Sequence, residues 1–248
     1  MIQIKDLHKS FAQKKVLDGL NLDIEPGQIT TIIGGSGSGK SVLFKHIIGL
    51  LKPDSGSILI DDEDITTLGE KDLYRIVDKF GMVFQSGALF DSLTVGENVA
   101  FGIKKNKKMA AAAISESIAL SLNQVGLPDI ANLMPSELSG GMKKRVAIAR
   151  AIAKKPQIIM FDEPTTGLDP IMADIINELI IKVSDDKEIT SIVITHNMVS
   201  AYKISAKIAV LYDGRIIEIG VPDEIRNTGN AMVRQFIEGK ADGPMKIR

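Results

Sequence analysis

Residues Gly34-Gly35-Ser36-Gly37-Ser38-Gly39-Lys40-Ser41 fit the pattern GxxxxGKS at every fixed position, and few short segments restrict a fold as strongly. Such a loop works only between a buried strand and the start of a helix. Its glycines let successive backbone N–H groups turn toward phosphate oxygens, and the helix end adds partial positive charge. Both neighbours are legible here. Gln28 to Ile33 is a short β-rich run, and a helix is expected from Lys40 with Leu43, Ile47 and Leu50 on one face. The loop implies a nucleoside triphosphate. Lys40 should reach its β- and γ-phosphates and the Ser41 hydroxyl should bind Mg²⁺.

Two further segments give the loop a context. Ile158-Ile159-Met160-Phe161-Asp162-Glu163 is an apolar strand ending in two carboxylates. It would bring Asp162 to the metal and Glu163 to an attacking water. Leu138-Ser139-Gly140-Gly141-Met142 opens a helix about 100 residues after the loop; Ser139 is a natural N-cap, and Gly140 and Gly141 leave the helix end bare enough for an anion to reach backbone N–H groups.

The rest of the chain suits one large α/β unit. At 248 residues it can bury a sizeable core, and its net charge of -1 offers no global field for nucleic acid or acidic lipid. The absence of cysteine removes disulfides and thiolate metal sites and suits a reducing compartment. Neither a secretory h-region at the start nor an apolar run long enough to cross a bilayer is visible. Alternation over the first 30 residues reads as strands with a turn around Gln13 to Lys15, and Met82 to Gln85 as a buried strand. Helical spacing dominates from Gly96 to about Lys155. Gln157 to Phe161, Thr190 to Thr195 and Lys207 to Tyr212 are strands at the spacing of parallel βαβ units. The basic runs Lys104-Lys105-Asn106-Lys107-Lys108 and Lys143-Lys144-Arg145 are expected to face solvent or, for the second, phosphate-rich surroundings.

Taken together, the loop, the Asp-Glu strand end and the Ser-Gly-Gly helix start resemble those of ABC-type ATPases. That resemblance implies a P-loop NTPase fold: a RecA-like core, an N-terminal antiparallel β subdomain and a helical subdomain. It places one ATPase domain over residues 1–225 with the helical part inserted at about 86–155, and a tail at 226–248. Each motif occurs once, which excludes a tandem pair. Under the resemblance Gln85 is a metal- or water-sensing glutamine, His196 after Thr195 contacts the γ-phosphate and orients Glu163, and Phe11 stacks on adenine, with core packing as its rival. Asp169 lies in a loop near a subunit interface. Ser139, Gly140 and Gly141 serve ATP held by a second copy, so the active unit is a sandwich dimer. The family usually has Gln where this chain has Met142.

Two segments point further. Phe84 to Val95, containing Gln85-Ser86-Gly87-Ala88-Leu89-Phe90, and the tail Val233 to Pro244 resemble the ATPases of Mla-type phospholipid transporters. The implied role is phospholipid movement between inner and outer membranes, powered from the cytoplasmic face of the inner membrane. The implied partners are an integral-membrane permease, an MCE-domain lipid-binding protein and a small STAS-domain protein, with no nucleic acid. Another importer ATPase, or a non-transporting ABC ATPase that regulates a membrane complex, remain as alternatives. In the tail, Pro222 with Asp223 and Glu224 starts one helix, and Asn230 caps a second that carries Val233, Phe236 and Ile237 and stops at Gly239. So short a helix must dock. It docks either on its own core or across the dimer, with the last residues bracing the second subunit.

Overall fold

The computed structural model describes residues 1–103, 110–185 and 188–246. The basic run Lys104 to Lys108 therefore lies outside the described residues. Strands β1 (Ile2–Phe11) and β2 (Lys14–Ile24) form an antiparallel hairpin that turns at Ala12, where φ is 51°. Followed by β3 (Ile29–Ile33) and helix α1 (Lys40–Ile47), they open the chain. Next come β4 (Ser55–Ile60), β5 (Glu63–Asp64), α2 (Glu70–Val77) and β6 (Phe80–Val83). A helical stretch holds α3 (Val95–Ala100), α4 (Ala111–Gln124) and α5 (Gly140–Ile152). Then β7 (Ile158–Asp162), α6 (Pro170–Ser184), β8 (Thr190–Thr195), α7 (Met198–Ile204) and β9 (Lys207–Tyr212) alternate. The chain closes with β10 (Arg215–Gly220), α8 (Pro222–Arg226) and α9 (Ala231–Glu238).

Two sheets result. One is antiparallel, ordered β2-β1-β4-β5; the other is ordered β10-β9-β3-β8-β7-β6, with only β10 antiparallel to its neighbour. Every residue of β3 and β8 is buried, as expected of parallel strands covered on both faces. One apolar cluster joins the antiparallel sheet to α1 and one face of the parallel sheet through Leu20, Ile32, Leu43 and Met160. A second packs α3, α5 and α6 on the other face around Val99, Ile148, Phe161 and Ile176. The α/β class read from periodicity is the one the chain adopts.

Register decides where chemistry can occur. Ile33 pairs with Thr195, Asp162 with Ile194 and Val83 with Phe161, so the C-terminal ends of β3, β8, β7 and β6 finish at one edge. Ligands of open parallel sheets bind at that edge.

The structure corrects several local readings. Helix α1 ends at Ile47, and Gly49 takes φ 70°, so Leu50 leaves the apolar face and is 65% exposed. Strand β6 stops at Val83, which leaves Gln85 beyond it on an exposed turn. Lys144 does not face solvent: it is buried to 7% and donates to the carbonyls of Pro164 and Thr166.

The tail follows its caps. Glu224 accepts from the Val221 N–H at 3.0 Å, Asn230 from that of Met232 at 3.0 Å, and Gly239 ends α9 at φ 65°. Helix α9 docks on its own chain, with Val233 packed against Ile33, Ala201 and Ile208. Residues 240–246 fold back over it. Buried Gln235 donates to the carbonyls of Lys240, Ala241 and Met245 and accepts from the Met245 N–H, and the Lys246 N–H reaches the Tyr212 hydroxyl.

Candidate nucleotide site

The phosphate-binding loop sits where β3 ends and α1 begins, and its glycines differ in function. A Cβ on Gly34 would lie 2.4 Å from the Leu211 carbonyl oxygen, and one on Gly39, at φ 109°, would lie 2.9 Å from that of Val16. These two are fixed by packing. Gly35 and Gly37 have nothing within 4 Å of that position. Their backbone borders open space, where an anion can approach. The Ser38 hydroxyl is buried without a hydrogen-bond partner among the described residues, Ser36 and Ser41 are exposed, and Ser41 stands in the first turn of α1. A triphosphate fits this concavity: it needs open N–H groups, a helix N-terminus and a nearby cation.

Lys40 supplies the cation. Its ammonium donates to the Gly34 and Gly35 carbonyls at 2.7 and 2.9 Å, so its two hydrogen bonds hold it over the loop. Burial lowers its pKa, while Glu163 and Asp162 pull it back up. Asp162 is pushed the other way: burial raises its carboxyl, the neighbouring Glu163 adds to this, and Lys40 and Lys45 oppose it. A divalent cation beside Asp162 would relieve both the burial and the like charge.

Glu163 is the most constrained residue of the site. Its φ is 48°, a conformation rarely taken by a side-chain-bearing residue, and its N–H is tied to the Ile194 carbonyl at 2.8 Å. The carboxylate is only 12% exposed. Oε1 accepts from His196 Nδ1 at 2.8 Å, and Oε2 from the Thr166 and Thr195 hydroxyls at 3.0 and 3.3 Å. His196 itself is 61% exposed. The hydrogen-bonded pair Glu163–His196 thus comes from two adjacent strand ends.

The other candidates lie farther out. Phe11 ends β1, 47% exposed, with the Lys9 ammonium 5.7 Å from its ring centroid. Core packing is excluded for it. Ser139 caps α5, its hydroxyl accepting the Met142 N–H at 3.2 Å, and both it and Gly140 are exposed. Gly141 is buried against Met172 of α6. The Met142 side chain packs on the second apolar cluster. Asp169 caps α6 by accepting from the N–H groups of Ile171 and Met172.

Several supports are absent from the sequence reading. Fully buried Asn98 accepts from the Phe90 N–H and donates to the carbonyls of Phe90, Leu93 and Thr94, and Arg150 donates to those of Gly87 and Ala88. Together they fix the turn after Gln85. Lys144 had a signal, since helical spacing places it on the buried face with Gly141, Ile148 and Ala151.

Residues 17–166 match the ABC transporter family. The chain belongs to it. Over all 248 residues this ABC ATPase is 40% identical to the intermembrane phospholipid transport system ATP-binding protein MlaF of Haemophilus influenzae, covering 94% of that protein. It is 37% identical to MlaF of Escherichia coli K12, over all of this chain and 92% of that one. Among solved structures, a dimeric ATP-binding cassette in a post-hydrolysis state bound to ADP and Pi superposes with a TM-score of 0.82. The two share 33% identity over 90% of this chain and 99% of that chain. The ABC ATPase therefore has the nucleotide-binding cassette fold and is an ATP hydrolase. No helix among its described residues is long and apolar enough to cross a membrane.

Proposed function

We propose that the chain is the ATP-hydrolysing subunit of a phospholipid transporter, acting as a sandwich dimer beneath a membrane permease at the cytoplasmic face of the inner membrane. The observation that carries the hydrolytic reading is Glu163, strained and oriented by His196 at the edge where the phosphate loop opens. The cradle of residues 34–41 binds the triphosphate, Lys40 exchanges its loop carbonyls for phosphate oxygens, and Phe11 stacks on the base. Ser41, Gln85 and Asp162 would hold Mg²⁺, which when bound neutralises phosphate charge. Glu163 accepts a proton as the water oxygen bonds to the γ-phosphorus, and the bond to the β–γ bridging oxygen breaks to release ADP. His196 keeps the Glu163 carboxylate aimed. Ser139, Gly140 and Gly141 complete the site of the second copy.

The permease docks in a groove of about 440 Å³ lined by Tyr74, Phe84, Phe90, Phe101, Arg150 and Lys154. Tyr74, Phe90 and Phe101 expose apolar surface there, with the Phe90 and Phe101 rings 4.4 Å apart. Full-length similarity to two MlaF proteins supports phospholipid as the cargo. MCE-domain and STAS-domain proteins complete the assembly. With a candidate permease reconstituted beside this chain in liposomes, ATP should drive transfer of labelled phospholipid to an MCE-domain acceptor, and Glu163→Gln should stop it. ATP turnover stimulated by an amino acid, with no lipid transfer, would identify another importer; turnover without any cargo would identify the regulatory class.

Residues 1–225 form the working cassette with its helical insert at 86–155, and 226–248 are an extension of it. Because α9 is seated on its own chain, any bracing of the dimer falls to the tail beyond it, of which Met245 and Lys246 are hydrogen-bonded to Gln235 and Tyr212. Removing residues 240–248 should lower the dimer fraction in size-exclusion chromatography and leave single-chain ATP affinity unchanged. A truncated protein that dimerises like the full chain rules the brace out.

A further inference from the structure

Lysine is among the residues least often buried, and it is almost never fully so without partners. Lys144 is 7% exposed, in the middle of α5, and its partners are two backbone carbonyls rather than a carboxylate: Pro164 at 2.8 Å and Thr166 at 2.6 Å. Those two carbonyls belong to the turn that immediately follows Glu163. Thr166 is also tied to Glu163 itself, its hydroxyl donating to Oε2 at 3.0 Å and its N–H to the backbone carbonyl at 3.3 Å. The same turn is held at its far end. Asp169 caps α6, and Met172 of α6 lies against Gly141, one turn before Lys144 on α5. Helix α5 therefore grips residues 164–172 at two points, while Ser139 at its start is exposed.

We propose that Lys144 is a positioning residue through which α5 sets the carboxylate of Glu163 in the same chain, so that occupation of the Ser139-Gly140-Gly141 end of that helix by one nucleotide is felt at the water-activating group of the other site. The inference rests on Glu163 acting as the proton acceptor. The ammonium is well suited to this work, because it satisfies the buried Pro164 carbonyl and the half-buried Thr166 carbonyl and lets Thr166 keep its hydroxyl on Oε2. Burial lowers the Lys144 pKa and attraction to Glu163 opposes the change, so the two groups sense each other across the turn.

The test uses the full-length chain and variants at Lys144 and Thr166, alone and combined, with Glu163→Gln as the background for dimerisation. Lys144→Met keeps the apolar stem and removes the donors. It should lower kcat about 10- to 100-fold, the range expected when a reacting group is misplaced, with ATP KM within about twofold of the wild type. ATP-induced dimerisation in a Glu163→Gln background should persist. Lys144→Arg should recover part of the rate. Thr166→Val should produce a loss of the same kind, and combining it with Lys144→Met should cost no more than the larger single change, since both act through one carboxylate. Wild-type kcat in Lys144→Met overturns the proposal. So do additive losses, or a fall in ATP affinity and thermal stability that parallels the fall in kcat, which would make Lys144 a packing residue only. A Glu163→Gln chain that still turns over would instead remove the assignment of Glu163, and the two failures are read from different proteins.

Discussion

Glu163→Gln should bind ATP as tightly as the wild type, lose turnover by about 10²- to 10⁴-fold, and elute as a dimer when ATP and Mg²⁺ are present. The amide has the volume of the carboxylate and can still accept from the Thr166 and Thr195 hydroxyls, so the strained turn at φ 48° has no reason to rearrange. What it loses is the ability to take a proton from water. ATP then stays intact between two chains and holds them together, a state that hydrolysis in the wild type dissolves. Lys40→Ala makes the contrast. It removes the cation over the phosphate loop and takes a donor from the Gly34 and Gly35 carbonyls, leaving Gly35 only the Ser38 N–H, so affinity falls and no ATP-dependent dimer forms. Isothermal titration and size-exclusion chromatography on the two variants separate binding from chemistry. Wild-type turnover in Glu163→Gln would sink the assignment of the base.

The parts of this molecule that the sequence exposes are those whose chemistry is local. A glycine-rich loop between a β-rich run and a helix start, or Ser139 before two glycines, states its conformation within a few residues. The βαβ strands were equally legible, because burial on both faces leaves near-continuous apolar runs such as those of β7 and β8. The mistakes occur where tertiary contacts decide. Leu50 has the right spacing for the apolar face of α1, yet the turn at Gly49 carries it into solvent. The charge of Lys144 points to solvent, although its position on α5 belongs to the buried face, and only the carbonyls of residues 164 and 166 explain how that face accepts an ammonium. Glu163 has a related history. The motif locates it, but its bonds to Ile194, Thr195 and His196 depend on β8 lying beside β7. Asn98 carries no motif, and its four bonds exist only because the 90–94 segment folds over α3.

Ser139→Arg should abolish ATP hydrolysis while leaving ATP binding to a single chain nearly unchanged. The reason is spatial. Ser139 caps the start of α5, far along the chain from the loop at residues 34–41, and it is exposed to solvent with no hydrogen bond to that loop or to Glu163 among the described residues. Its hydroxyl caps α5 by accepting the Met142 N–H, so losing it costs about 0.5–2 kcal/mol of local helix stability. That is too little to unfold a helix anchored by Val146, Ile148 and Ala151 in the core. A guanidinium at this position cannot reproduce the cap, and its bulk closes the approach of a partner's nucleotide to the N–H groups of Gly140 and Gly141. Ser139→Ala, which removes the cap without the bulk, serves as the control and should keep a substantial share of the activity. The decisive arrangement places Ser139→Arg in the Glu163→Gln background. If each helix end completes the other chain's site, the double variant should bind ATP and yet elute as a monomer, where Glu163→Gln alone elutes as a dimer. A double variant that still dimerises on ATP would show that the helix end does not seal the sandwich, and the shared site would have to be abandoned while Lys40 and Glu163 kept their roles.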